Sequence, residues 1–179
     1  MMYEKFGQFI DGKWCQSSDK STYEVINPAN EEILGHASKA TPKDVDRALK
    51  SAEKGLQVWK KTPPWKRSYI IRRIADKIRE KQDVLAKWMT LEVGKPFVEA
   101  KGEVNGAADI FEWNAEETKR IYGQTVESRF EDTRVHVYYQ PVGVVAALTP
   151  WNFPLVLSAR KISTALAAGC SVIIKPDVI

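Results

Sequence analysis

Two stretches decide the fold of this chain: Val142-Gly143-Val144-Val145-Ala146-Ala147-Leu148-Thr149-Pro150-Trp151-Asn152-Phe153-Pro154 and Cys170-Ser171-Val172-Ile173-Ile174-Lys175-Pro176. The first opens with an uninterrupted apolar run bounded by Pro141 and Pro150, the pattern of a strand buried on both faces of a parallel sheet. From about Pro154 to Ala168 the spacing is helical, and Gly169 closes it. Cys170–Ile174 is then a second buried strand. Residues 142–174 therefore read as one βαβ unit, the seed of a doubly wound α/β fold. The chain stops at Ile179, and two strands alone leave a parallel sheet without cover. The expectation is a fragment, or a chain that needs a second polypeptide.

Three zones precede this unit. In the first, Gln8-Phe9-Ile10 and Lys13-Trp14-Cys15 flank Asp11-Gly12, a two-residue hairpin signal. Tyr23–Ile26 and Ile33–Ala37, separated by the turn cluster Asn27-Pro28-Ala29-Asn30, predict a second strand pair. In the second zone, Thr41-Pro42-Lys43-Asp44 supplies an N-cap, a proline at the first helical position and an acid in the first turn. Val45, Ala48, Leu49, Ala52, Leu56 and Trp59 follow as one apolar stripe. Pro63-Pro64 interrupts, and a long helical run from Trp65 carries Ile70, Ile71, Ile74, Ala75, Ile78, Val84, Leu85, Trp88 and Met89. Gly94-Lys95-Pro96 stops that run. A third helix bears Val98, Val104, Ala108, Phe111 and Ala115 and ends near Tyr122-Gly123. The third zone, 124–141, contains Thr133–Gln140, rich in β-branched and aromatic residues, and predicts half of a hairpin.

Composition narrows the function classes. The 179 residues correspond to one domain, or one and a piece. Hydrophobic residues make up 44%, enough for a packed core. A formal charge of +4 is too small to imply nucleic acid. The basic residues Lys60, Lys61, Lys66, Arg67, Arg72, Arg73, Lys77, Arg79 and Lys81 interleave with Asp76, Glu80 and Asp83, which predicts a solvated helix face. Cys15 and Cys170 are too few and too distant for a disulfide scaffold or a zinc site, and both read as buried structural thiols. His36 and His136 have no metal-ligand spacing. No apolar segment follows Met1–Lys5, and no run approaches the ~18–20 residues of a membrane span. The expected compartment is the cytoplasm, with neither nucleic acid nor membrane as a partner.

The turn Thr149–Pro154 is the chemically distinctive one. It lies at the carboxyl end of a parallel strand, where ligands gather in open α/β sheets. Two prolines stiffen the backbone around Trp151 and Asn152. A carboxamide held in a rigid loop can donate to a developing oxyanion. The same residue types also fit a helix N-cap Asn ahead of Pro154. Lys175-Pro176 ends the next strand, where a lysine can meet ribose hydroxyls or a phosphate, or simply face solvent. Arg160, two helical turns beyond Asn152, fits either a carboxylate anchor or a surface arginine. Gly94-Lys95-Pro96 lacks the glycine spacing and the Ser/Thr of a phosphate loop.

These residues carry a family resemblance. Leu148–Pro154, Ala165-Leu166-Ala167-Ala168-Gly169-Cys170 and Ile173-Ile174-Lys175-Pro176 resemble the aldehyde dehydrogenase superfamily. Asn27-Pro28-Ala29 with Glu32–Gly35, Trp59, Arg67, Leu91–Pro96 and Tyr139–Val145 are similar to that family's N-terminal segments, in the same order. The resemblance implies an α/β chain built as the N-terminal part of the aldehyde dehydrogenase fold: β-hairpins, long helices and the start of a Rossmann-like parallel sheet, incomplete at the C-terminus. It divides into 1–123, the strands and helices of the cofactor-binding domain; 124–141, an oligomerisation-type hairpin; and 142–179, the first βαβ unit of the NAD(P) sheet.

The resemblance also implies roles. Asn152 would hold the oxyanion formed when a thiolate adds to an aldehyde. Thr149, Pro150, Trp151 and Asn152 would line the nicotinamide-ribose side of an NAD or NADP site, and Lys175 and Pro176 would meet the adenosine ribose. Arg160 matches an arginine of the succinate-semialdehyde branch, where it grips the substrate carboxylate. The family's nucleophilic cysteine and general-base glutamate lie in a region this chain does not contain, and Glu92 and Cys170 only look like them. The isolated chain is therefore expected to have no turnover. Val178 stands where a glutamate would favour NAD, which leaves the cofactor as NAD or NADP. The partners implied are a small aldehyde and either a homo-oligomer or a complementary C-terminal chain. The alternative is a non-catalytic truncated paralogue acting as an oligomerisation or interaction module.

Overall fold

The structure is a computed structural model and describes residues 7–177. The readings made on Met1–Lys5 and on Val178 lie outside the described residues.

Two short antiparallel ribbons begin the chain. The first joins β1 (Gln8–Ile10) to β2 (Lys13–Cys15) through Asp11-Gly12, and the second pairs β3 (Thr22–Ile26) with β4 (Ile33–Ser38). Both match the sequence reading. Helix α1 (Pro42–Trp59) starts on a full capping box: the Asp44 N–H donates to Thr41 Oγ1 at 3.3 Å, and the Thr41 N–H donates to Asp44 Oδ2 at 3.0 Å. The Ser18 N–H also reaches Asp44 Oδ2, at 3.1 Å, so the cap carboxylate ties the β2–β3 loop to the helix start.

The run from Trp65 to Met89 is not one helix. It divides into α2 (Pro64–Glu80) and α3 (Gln82–Val93) at Lys81, whose φ of −105° and ψ of 16° leave the helical region. Apolar periodicity alone could not show this, because Val84, Leu85, Trp88 and Met89 keep a helical spacing across the break. Gly94 closes α3 in the left-handed conformation, φ 73°, and its N–H donates to Thr90 O. Helix α4 (Phe97–Glu117) follows and runs into a short 3₁₀ turn at Thr118–Arg120.

The core lies where α2, α4 and α5 (Pro154–Ala167) meet. Ile71, Ala75, Ala107, Ala108, Phe111, Ala115, Ala159 and Ala167 are buried there together. A smaller cluster of Ala86, Met89, Ala100 and Val104 joins α3 to α4. The buried stripe of α4 recurs at Ala100, Val104, Ala107, Ala108, Phe111 and Ala115, the three-and-four spacing of one helix face. Val98, placed on that stripe by the sequence, is exposed instead, and Ala100 takes its place. Alanines here let helix backbones approach closely around Phe111.

The basic stretch on α2 is only partly a solvated face. Arg72 pairs with Glu112 and Glu116, and Arg79 pairs with Asp109 and Glu112, so α2 is bolted to acids of α4 that the sequence reading had not matched to it. Arg67 is buried, donating to the carbonyls of Thr62 (2.6 Å) and Ala167 (3.4 Å). Burial pushes its guanidinium below the usual range.

The hairpin of β5 (Gln124–Glu127) and β6 (Arg134–Val137) stands exposed along both strands. Strands β7 (Val144–Leu148) and β8 (Ser171–Lys175) pair in parallel, Leu148 opposite Lys175, with α5 as the crossover, and α1 and α5 both pack against them. The βαβ unit is thus as expected, but full burial of its strands is not observed. Ala147 is buried, whereas Ala146 is exposed and Leu148 is 63% exposed. A two-stranded sheet has two open edges, and two helices do not close both of its faces.

Candidate functional site

The parallel register decides which candidates meet. Pairing of Leu148 with Lys175 ends the two strands level with each other. The Thr149 N–H still donates to Lys175 O, at 3.3 Å, one step past the ladder. The turn Thr149–Asn152 and Lys175-Pro176 therefore share one edge of the sheet. Thr149 is buried, with its hydroxyl 3.5 Å from Ser158 Oγ, and Ser158 in turn donates to Pro154 O at 2.6 Å. Trp151, Asn152 and Phe153 are exposed, as are Pro150, Lys175 and Pro176. The Lys175 ammonium donates to Pro176 O at 2.8 Å.

Asn152 is not the helix cap. The N-cap of α5 is Phe153, and no side chain of its own segment caps the helix. Pro154 occupies the first helical position and brings no N–H. The next two donors, the N–H groups of Leu155 and Val156, are taken instead by Glu103 Oε1 of α4, at 3.0 and 3.2 Å. A carboxylate at a helix N-terminus also complements the helix dipole. With the cap supplied from another helix, the Asn152 carboxamide is not spent on local structure.

The other oxygen of Glu103 forms an ion pair with Lys95. Lys95 Nζ also donates to Asn152 O at 3.1 Å and sits 3.9 Å from the centre of the Phe153 ring. The Glu103 side chain is 2% exposed and that of Lys95 11%. Sequence reasoning missed both residues. Lys95 was visible only within a helix stop and a rejected phosphate loop, and Glu103 is one of several acids on α4; its one signal is its place on the apolar face, three residues after Ala100 and four before Ala107.

Arg160 is not drawn into this edge. It is exposed on α5, six residues past Pro154, or ~9 Å along the helix axis. Glu92 lies half-buried on α3, and burial pushes its carboxyl above the usual range. Cys170 is buried one residue before β8, at the end of the strand opposite to Lys175. Cys15, in contrast to its reading as a buried thiol, is half-buried, and Arg47 Nη2 donates to its Sγ at 3.0 Å. A three-residue ribbon is too small to enclose it. Among the described residues no cluster of His, Cys, Asp and Glu has metal-site geometry, and no helix is long and apolar enough to cross a membrane.

The sequence profile of the aldehyde dehydrogenase family matches residues 14–178. The chain belongs to that family. It is 45% identical over 168 residues to a glutarate-semialdehyde dehydrogenase of Pseudomonas aeruginosa, covering 94% of this chain and 35% of the relative. It is 44% identical over 167 residues to an NADP(+) succinate-semialdehyde dehydrogenase of Escherichia coli, again covering 35% of the relative. The crystal structure of an E. coli NADP-dependent enzyme superposes with a TM-score of 0.92 at 43% identity, over 94% of this chain and 35% of that one. Betaine aldehyde dehydrogenase of Staphylococcus aureus, a P449M mutant in complex with NAD+, gives 0.93 at 35% identity, over 97% and 36%. The chain therefore spans about a third of the length of the relatives it matches, and its α/β fold is that of their N-terminal part.

Proposed function

We propose that this chain supplies the oxyanion donor and part of the cofactor cleft of an NAD- or NADP-dependent dehydrogenase that oxidises a small aldehyde to a carboxylic acid. The observation that carries this is the Asn152 carboxamide. It stands in a turn stiffened by two prolines, free of capping duty, at the same end of the β7–β8 pair as Lys175. In this reading Asn152 donates to the aldehyde oxygen as negative charge builds on it, and a donor fixed in advance needs no reorganisation at that moment. The strand ends suit the ribose groups of a dinucleotide: the exposed Lys175 donor toward the adenosine ribose with Pro176 beside it, and buried Thr149 with exposed Pro150 and Trp151 toward the nicotinamide side. When bound, the nicotinamide accepts the hydride.

The substrate class is a semialdehyde, with Arg160 as the carboxylate anchor. Two similar relatives are named for glutarate and succinate semialdehydes, both of which carry a carboxylate at the end opposite the aldehyde. Both nicotinamide cofactors remain within the reading, since one relative is named for NADP(+) and one neighbouring structure holds NAD+. Neither cysteine suits a nucleophile at this edge: Cys170 is buried at the opposite end of β8 and Cys15 lies in the first hairpin. Turnover accordingly needs a thiolate from further polypeptide, and residues 1–179 alone are inactive.

The test is aldehyde oxidation by the native gene product purified from its own cells. Asn152→Ala lowers kcat by ~10²–10³-fold, the usual loss of one oxyanion donor. An unchanged kcat rejects the role of Asn152. A second reading, an interaction module, rests on the β5–β6 hairpin, whose Val126, Val135 and Val137 are exposed with Phe130 at its tip and Tyr138 just beyond. Light scattering separates the two: a native product that assembles through this hairpin and oxidises no aldehyde favours the module.

A further inference from the structure

We propose that Lys95 and Glu103 are positioning residues for Asn152, acting as a buried ion pair that fixes the Asn152 carbonyl and the first helical amides that follow it. This rests on the oxyanion role proposed for Asn152. The geometry is specific to that residue. Lys95 Nζ donates to the carbonyl of Asn152 itself, and its charge sits on the ring of the next residue, Phe153. Glu103 holds the N–H groups of Leu155 and Val156, on the far side of Pro154. The pair joins these two grips, and its two members come from the start and the first turns of the segment that includes α4.

The arrangement explains why a helix beginning at Pro154 needs no cap of its own. It also explains why a lysine follows the left-handed Gly94 that ends α3. The turn from α3 into α4 delivers Lys95 to the underside of the Thr149–Pro154 loop. Without Lys95 the Asn152 carbonyl loses its donor, and Glu103 becomes an unpaired buried carboxylate. The carboxamide then samples several orientations, and only one of them meets the oxyanion. Small errors of placement at such a donor are costly in rate.

The experiment has two readouts on the native gene product. Amide hydrogen exchange at Leu155 and Val156 is compared between the parent, Lys95→Met, Lys95→Arg and Glu103→Gln. Exchange is expected to rise at least tenfold in Lys95→Met, with Ile71 and Ala107 of the core still protected, and to return toward the parent in Lys95→Arg. Glu103→Gln, which keeps the shape, shifts the same two amides in the same direction and serves if Lys95→Met does not fold. Unchanged exchange in these variants overturns the proposal irrespective of activity.

The second readout is kinetic. Lys95→Met is expected to lower kcat ten- to hundredfold and to leave KM for the nicotinamide cofactor within twofold. Added to Asn152→Ala it should lower kcat no further, because the group it positions is already gone. A loss that multiplies with that of Asn152→Ala overturns positioning while leaving the oxyanion role intact. An Asn152→Ala variant with parental kcat removes the oxyanion role, and the exchange data then report separately on whether the ion pair holds the turn.

Discussion

The helical body and the β7–β8 edge differ in what their apolar residues touch. In the body, Ile71 and Val104 are wholly buried, Phe111 is nearly so, and Arg72 and Arg79 fasten α2 to α4 from the outside. At the edge, Leu148 and Ile174 belong to strands just as apolar, yet both are exposed. The difference teaches that hydrophobicity predicts burial only where the topology supplies a second layer. A helix face is covered by the next helix, whereas a strand needs neighbours on its edges and cover on both faces. The candidate site sits on the less covered of the two regions, and its rigidity comes from the body, through Glu103 and Lys95.

The largest expected effect breaks the body. Phe111→Ala should cost ~3–5 kcal/mol, the usual range for a buried aromatic, read from the denaturant midpoint. A loss below ~1 kcal/mol would mean that the α2–α4–α5 core does not carry the stability, against its burial here. Gly169→Ala probes the junction between the regions. Gly169 has φ 89°, and an added Cβ would lie 2.9 Å from Pro141 Cγ. The strain should destabilise the protein by ~1–3 kcal/mol, visible as a lower melting temperature.

A smaller effect lies at the start of α1. Thr41→Ala should cost ~1 kcal/mol by removing half of the capping box. The Asp44 carboxyl is held well below the usual carboxylate range, chiefly by the backbone N–H of Thr41 and also by that of Ser18. A carboxyl depressed in the folded state binds fewer protons there than when unfolded. Its contribution is therefore complete above about pH 4 and is lost as pH falls below that. Asp44→Asn should flatten the acid limb of a melting-temperature titration; an unchanged limb would show that other carboxylates dominate it. The smallest effect is expected at the edge: Leu148→Thr in this chain should change stability by no more than ~0.5 kcal/mol, as for other exposed positions. A larger loss would show that Leu148 is covered in solution, by a second copy or by further polypeptide.

Most of the element order could be read from the sequence, because the signals were local. Asp11-Gly12, the Thr41–Asp44 cap and the apolar runs at 144–148 and 171–174 each act over a few residues. The helix break at Lys81 escaped notice because apolar spacing continues across it. Val98 was misassigned because helical spacing tolerates more than one face until a neighbour selects one. Of the candidate site, Thr149 through Asn152 and Lys175 through Pro176 were identifiable from their place at strand ends, and the register brings them together. Lys95 and Glu103 were not, since they stand 57 and 49 residues from Asn152 in the chain.

The sequence by itself determined the βαβ unit, the paired hairpins, the helical spans to within a break, and the stiff turn around Asn152, all of them products of short-range backbone preference and apolar period. Only the tertiary structure decided which helix caps α5, which acids neutralise Arg72 and Arg79, and that the Asn152 carbonyl rests on Lys95. Those contacts join residues remote along the chain, and their strength depends on burial that exists only once α3, α4 and α5 have packed.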